Sequence, residues 1–405
     1  MRKFLARPVT RRNQATLKLI GRIMLFASIA SFASAQQFNT LYSFIGNSDG
    51  AYPVGTVIRD GQGNFYGTTW YGGNANGTDG HGTVYEYTAS GEIRVLYAFT
   101  GDSDGSNPFS GLVMDSQGNL YGTTPSGGAF GECSTGCGVV YEITPEGKEL
   151  VLHSFYGPDG IVPMSGLFLS TEGNLYGTTT SGGSFSGGTV FELSNSFGFV
   201  TLHAFDGQDG AEPYAGVVMD NASNIYGTTS FGGNTGVSGT RRNNGTTFEI
   251  TQSGTEETLH RFSGASDGAM PYGSLVWTSL GGLFGTTSSD GTYHCGTVFQ
   301  IRSDGGKKIL HEFTQTSDGC FPWAGVTLDA KGNIFGTTLY GGEYGFGTVF
   351  VITPSGKEKI LHSFSNGSDG SSPYGGLVLD GKGNIYGTAS SGGAYGAGTI
   401  FEITQ

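Results

Sequence analysis

Positive charge is scarce in this sequence: 20 Lys and Arg stand against 33 Asp and Glu in 405 residues, and charged residues make up only 13%. Seven of the basic residues (Arg2, Lys3, Arg7, Arg11, Arg12, Lys18, Arg22) fall in the first 35, which hold no acid, so the remainder carries 13 basic against 33 acidic groups. A net charge of about −20 repels phosphate backbones and anionic lipid, which argues against nucleic acid as a partner. Long apolar runs are missing too. The stretch from Ile23 to Ala33 is too short to span a bilayer as a helix. Nowhere does an uninterrupted helical period appear. G-x-S-x-G, H-E-x-x-H and phosphate-binding loops are absent, which lowers the expectation of the enzyme classes that depend on them.

What the amino terminus does contain has the order of a secretory signal: basic residues, an apolar run, then Ala33-Ser34-Ala35 before Gln36, a cleavage site of the A-x-A type. An uncleaved anchor is the alternative. Thr10-Arg11-Arg12 raises the twin-arginine route, but Asn13 and Gln14 follow the pair where apolar residues are required, so the general route is favoured. The expectation is a signal peptide over 1–35 and a protein secreted or periplasmic, with no membrane insertion after cleavage. No cysteine follows the apolar run to carry a lipid anchor.

Glycine is abundant, 74 residues, yet the apolar and aromatic residues stand in register, which a low-complexity linker does not need. Asn119-Leu120-Tyr121-Gly122-Thr123-Thr124 returns in close copies with its aromatic at Tyr66, Tyr121, Tyr176, Tyr226, Phe284, Phe335 and Tyr386, spaced by 55, 55, 50, 58, 51 and 51 residues. In the second unit Gly111–Asp115 reads as a strand, Ser116-Gln117-Gly118 as a turn, and Asn119–Thr124 as the next strand. A loop with Gly127-Gly128 leads to a third strand over Val139–Thr144, and Pro145–Lys148 turns into a fourth over Leu150–Phe155. Four short antiparallel strands in a period of about 50 residues describe a propeller blade. The expected fold is all-β, one seven-bladed β-propeller over 36–405.

The two ends of the chain predict how the ring closes. Thr40-Leu41-Tyr42-Ser43-Phe44 matches the fourth strand of other units, as in Leu361-His362-Ser363-Phe364, whereas Gly398–Thr404 matches the third. An amino-terminal strand that completes the last sheet removes both open edges, and a linear solenoid has no need of that shift. The glycine inside each second strand (Gly67, Gly122, Gly177, Gly227, Gly285, Gly336, Gly387) reads as close approach of a neighbouring backbone where blades converge.

The run Leu-Tyr-Gly-Thr-Thr-x-x-Gly-Gly, followed by Gly-Thr-Val-Phe-Glu-Ile and Leu-His-Ser-Phe, resembles the GloVer tandem repeat of secreted bacterial proteins over about residues 38 to 405. The resemblance implies an exported, propeller-like protein, often with a separate carboxyl-terminal surface anchor, and brings no catalytic residues to carry over. The chain stops inside a strand at Gln405 without a sorting helix or basic tail, so that anchor is not expected here. The Trp expected late in each kelch unit is missing, as are WD-type signatures.

Asp-Gly-x-x-Pro recurs in every unit between the fourth strand and the next first strand, from Asp49/Pro53 to Asp369/Pro373. As a turn it needs no ligand: Asp caps, Gly takes positive φ and Pro sets the entry to the strand. Asp102 and Asp104 form the one approach to a Ca²⁺ loop, which wants several oxygens; otherwise no cofactor or metal is expected. His153, His203, His260, His311 and His362 share one fourth-strand position, held by Tyr42 and Tyr97 in two units. Spread around a ring, they read as inter-blade hydrogen-bond donors and not as ligands to a single ion. In an oxidising compartment Cys133 with Cys137 forms a local disulfide, and Cys295 with Cys320 staples adjacent blades.

Positions that break the repeat gather in the loops between second and third strands: Tyr71, Asp79 and His81; Phe130 and Glu132; Arg241 and Arg242; Asp290, Tyr293 and His294; Glu343, Tyr344 and Phe346; Tyr395. Aromatic faces beside polar groups suit a glycan or protein ligand. The first expectation is a monomeric, non-enzymatic binding or scaffold protein using this face. The second is a glycoside hydrolase or lyase with two of Asp79, Glu132, Asp290 and Glu343 as its carboxyl pair, although these come from different blades and hydrolysis wants about 5 to 10 Å between them.

Overall fold

A computed structural model of the chain describes residues 36–405 apart from 75–79, 130–132, 195, 234–242, 280–281 and 303–304. Seven four-stranded antiparallel sheets form a ring. The first consists of Ile58–Arg59, Phe65–Thr69, Thr83–Tyr87 and Ile93–Ala98, here termed inner, second, third and outer strands, and five more repeat that order. The seventh has Val378–Leu379, Ile385–Ala389 and Thr399–Thr404, and its outer place is filled by Gln37–Ser43 from the other end of the chain. Phe38 pairs with Ile403, Tyr42 with Ile400 and Ser43 with Thr399, so the ring closes as the repeat phase predicts.

The core lies between blades. After each outer strand comes a buried Phe (44, 99, 155, 205, 262, 313, 364) whose ring meets, edge on, the third-strand aromatic of the next blade (Tyr85, Tyr141, Phe191, Phe248, Phe299, Phe350, Phe401). The seven centroid distances run only from 5.0 to 5.4 Å. Edge-to-face pairs of this kind add about 0.5–1.5 kcal/mol each beyond the area they bury.

The second-strand glycines correct one expectation. A Cβ on Gly67 would fall 2.5 Å from the Tyr85 hydroxyl, and on Gly177 2.6 Å from Phe191 Cζ. The group that demands glycine is the ring of the residue paired directly across in the same sheet, not a neighbouring backbone. Where that residue is Tyr85 or Tyr141, its hydroxyl is buried with no hydrogen-bond partner.

Two stitches explain the remaining repeat positions. The Thr after each second-strand Gly reaches into the next blade: Thr68 Oγ1 donates to Ser110 O at 2.8 Å, Thr286 Oγ1 to Ala324 O at 2.9 Å and, across the closure, Thr388 Oγ1 to Gly55 O at 3.3 Å. The residue before the Pro of Asp-Gly-x-x-Pro clasps both sides in six units; in the second, Pro125 stands where the N–H ahead would be, and Asn107 keeps only its bond to the blade behind. Val162 N donates to Cys137 O of the blade behind, and its carbonyl accepts from Thr180 N of the blade ahead. This residue is at positive φ in all seven units (Tyr52, Asn107, Val162, Glu212, Met270, Phe321, Ser372), a cost of about 1–2 kcal/mol for a side chain with a Cβ.

Candidate binding face and its aromatic mouth

Loops between second and third strands emerge beside the Asp-Gly-x-x-Pro connections, tied to them by bridges such as Ala51 to Tyr71, Ala211 to Phe231 and Cys320 to Tyr340. Cys133–Cys137 closes one such loop, and Cys295–Cys320 ties a loop of the fifth blade to the connection into the sixth, both as expected. At the centre of the ring all seven blades line a cavity of about 310 Å³. Its wall is made of Gly, Ser, Thr and aliphatic groups with Phe109, Met164, Tyr214, Tyr272, Trp323 and Tyr374; among the described residues no Asp, Glu, His, Lys or Arg lines it.

Those aromatic residues come from one repeat position, the residue after the Pro, which is also Val54 and Met164 in two units. Lying on the approach to each inner strand, four residues before it, this residue lines the mouth. Tyr214 meets Tyr272 at 5.1 Å, Tyr272 stacks on Trp323 at 4.0 Å, and Trp323 meets Tyr374 at 5.6 Å. Across the small Val54, Tyr374 reaches Phe109 at 6.3 Å. From there Trp70 (5.4 Å), Tyr71 (4.9 Å) and Tyr52 (5.8 Å) carry the run outward over the first blade. Eight rings thus form one continuous crescent from the mouth to the surface, where Tyr52 and Tyr71 are each 36% exposed. Burial pushes the Tyr272 phenol up to about 12 and raises Tyr214 and Tyr374 as well, so these hydroxyls stay protonated hydrogen-bond donors.

Of the loop residues singled out from the sequence, Tyr71 belongs to this crescent. His81 lies on the same face, its Nδ1 2.9 Å from Ser106 Oγ. Tyr293, Tyr344 and Tyr395 are well exposed, but their loops lean outward: Thr292 N donates to Glu312 Oε2 (2.8 Å), Glu343 N to Ser363 Oγ (3.3 Å) and Ala394 N to Ser43 Oγ (3.3 Å). His294 is exposed and 3.5 Å from Asp290. Neither Asp290 nor Glu343 lines the central cavity. Asp79, Phe130, Glu132, Arg241 and Arg242 lie outside the described residues. Five members of the crescent at the mouth were missed, although an aromatic after Pro in five of seven units was a readable signal.

The His and Asp repeats prove to be one arrangement. His153 Nε2 donates to Asp159 at 2.7 Å, His203 to Asp209 at 2.7 Å and His362 to Asp369 at 3.0 Å, while Tyr42 and Tyr97 donate to Asp49 and Asp104 at 2.9 Å. Each imidazole therefore grips the connection leaving its own blade. Burial works to raise Asp209, but His203 and the Asp206 N–H hold it below the usual carboxylate range. Asp104 is engaged by Tyr97 and by the Thr100 N–H and hydroxyl, so both its oxygens are already used, whereas Asp102 is exposed.

The sequence matches the family described as Gloeobacter/Verrucomicrobia repeat over residues 27–240 and 235–405. No curated protein matches it. Among solved structures, the extracellular domain of a B. thetaiotaomicron protein described as a one-component system aligns with a TM-score of 0.55 at 11% identity, covering 90% of this chain and 39% of that one. A gluconolactonase from Xanthomonas campestris aligns at 0.46 and 12% identity, covering 91% of this chain and 89% of the other. At 11% identity the likeness to the extracellular domain is one of fold alone.

Proposed function

The chain belongs to the Gloeobacter/Verrucomicrobia repeat family, and from that premise we propose that it is an exported, non-enzymatic binding protein that holds an extended glycan along the aromatic crescent. The observation that carries this reading is the continuity of the eight rings from Tyr214 to Tyr52. Pyranose rings present apolar C–H faces edged by hydroxyls. A path of phenol and indole rings rimmed by backbone and Ser groups offers both complements. A cavity wall that is uncharged among the described residues supports binding over hydrolysis, which needs a carboxyl pair at the bond to be broken. Two disulfides support an extracytoplasmic location, with residues 1–35 as the export signal. Among the described residues no helix is long and apolar enough to cross a membrane.

A glycan array with the purified protein tests the proposal. Binding to one class of polysaccharide, lost at least about tenfold in Trp323→Ala and in Trp70→Ala with the fold intact, is the expected result. Uniform lack of signal, or binding indifferent to both substitutions, overturns it.

A further inference from the structure

Blade junctions present the His–Asp or Tyr–Asp pair of one blade to a residue near the start of the next blade's outer strand, the one paired with the last apolar residue of the third strand. Phe199 lies flat on His153 at 3.9 Å, and Phe38 on His362 at 3.7 Å. Between the fourth and fifth blades the facing residue is Lys307. Its ammonium donates to the Asp267 carboxylate at 2.5 Å and to the Asp267 carbonyl at 2.6 Å. This junction is a cation-binding place that the chain fills with a cation of its own.

Three junctions put a glutamate where Lys307 stands, as the strand registers show: Glu149, Glu256 and Glu358 pair with third-strand Ile in the same way as Lys307. The place thus gains a second carboxylate in exchange for its ammonium. Between the third and fourth blades, ligand atoms of His203, Asp209 and Glu256 all lie within 4.8 Å of one another. Between the fifth and sixth, Asp318 is 8% exposed and His311 Nε2 stands 3.3 Å from its Oδ2, while Glu358 Oε1 is buried with no hydrogen-bond partner, as is Glu149 Oε1 between the first and second. Glutamate oxygens left unpaired at two of the three junctions, where the lysine junction has its polar groups joined, are a second sign that this place calls for a cation.

We propose that His203, Asp209 and Glu256 bind a divalent transition-metal ion of the zinc class, pinning the third blade to the fourth. One imidazole nitrogen and two carboxylate oxygens suit zinc, with an open position for water, whereas Ca²⁺ takes six to eight oxygens. The ion replaces the His203–Asp209 hydrogen bond: His203 offers the Nε2 lone pair with its proton on Nδ1, and the two carboxylates offset the ionic charge. It does for this junction what the Lys307 ammonium does for the next pair around the ring, that of His260 and Asp267.

The test is calorimetric titration of ZnCl₂ into the purified, EDTA-treated, untagged protein, with Co²⁺ absorption as a second readout. Glu256→Lys installs the ammonium of the lysine junction. Zinc stoichiometry should fall by one relative to wild type, or affinity by about 100-fold or more, with the Co²⁺ band lost and zinc-free stability kept or improved. Should that variant not fold, the isosteric Glu256→Gln carries the same expectation for zinc. Absence of zinc binding to the wild type, or equal stoichiometry and affinity in wild type and the folded variant, overturns the proposal.

Discussion

Phe38→Ala and Phe199→Ala remove the same contacts from two places that differ only in how the strand is tethered. Phe199 sits on an outer strand that follows its third strand directly in the chain and packs on His153, Phe155 and Phe191 at 3.9, 5.6 and 5.3 Å. Phe38 packs on His362, Phe364 and Phe401 at 3.7, 5.9 and 5.5 Å, but its strand reaches that sheet from the opposite end of the chain. Truncating a fully buried Phe costs about 3–5 kcal/mol. Both rings are only partly buried, so about 2–3 kcal/mol is expected for each. If the amino-terminal strand is an integral part of the cooperative unit, the two urea midpoints shift alike, agreeing to within about 0.5 kcal/mol when converted with a common slope. Amide exchange over residues 37–43 should then track global unfolding in the wild type. A Phe38→Ala shift less than about a third of that for Phe199→Ala, with residues 37–43 exchanging as an open segment in both proteins, would show that the strand unzips on its own. The claim that the ring is locked would fail.

Two further substitutions read the core and the junctions. Tyr141→Phe removes a buried hydroxyl without a partner, at a position that is Phe in five other blades, and should raise stability by about 1–2 kcal/mol in urea denaturation; a loss would mean that the hydroxyl is satisfied in solution. Glu149 is pushed up from 4.5 to about 7, first by burial and then by the charge of Asp104. Because the folded state holds this proton more tightly than the unfolded chain, the group stabilises the fold at low pH, and that contribution drains away as pH rises from about 4.5 to 7. The whole shift corresponds to about 3 kcal/mol, of which solvent screening leaves roughly 1. Glu149→Gln should therefore flatten the decline in urea midpoint between pH 5 and pH 8; an unchanged decline would place its origin elsewhere.

The strands, the number of blades and the closure were readable because each rests on a local pattern repeated in phase: Asp60 and Asn64 form their hairpin wherever that sequence recurs, and Leu41 to Phe44 announces an outer strand without a sheet of its own. Cys295 and Cys320 could be paired because two loop types share a face. The mouth was harder to read. Its defining position holds Val, Phe, Met, Tyr and Trp in different units, and the contact between Phe109 and Tyr374 joins opposite ends of the chain across one small valine. The role of Gly67 was misjudged for a related reason, since only the pairing with Tyr85 shows which atoms a Cβ would meet. His203 and Asp209 were noted as separate repeats, although their near-constant spacing in every unit already hinted that they act together.

The borrowed outer strand has one more consequence. Because the first strand always waits for the last sheet, duplicating or losing one whole period in the gene leaves the same vacancy and the same strand to fill it. Blade number can thus change in a single genetic event without baring a sheet edge to aggregation.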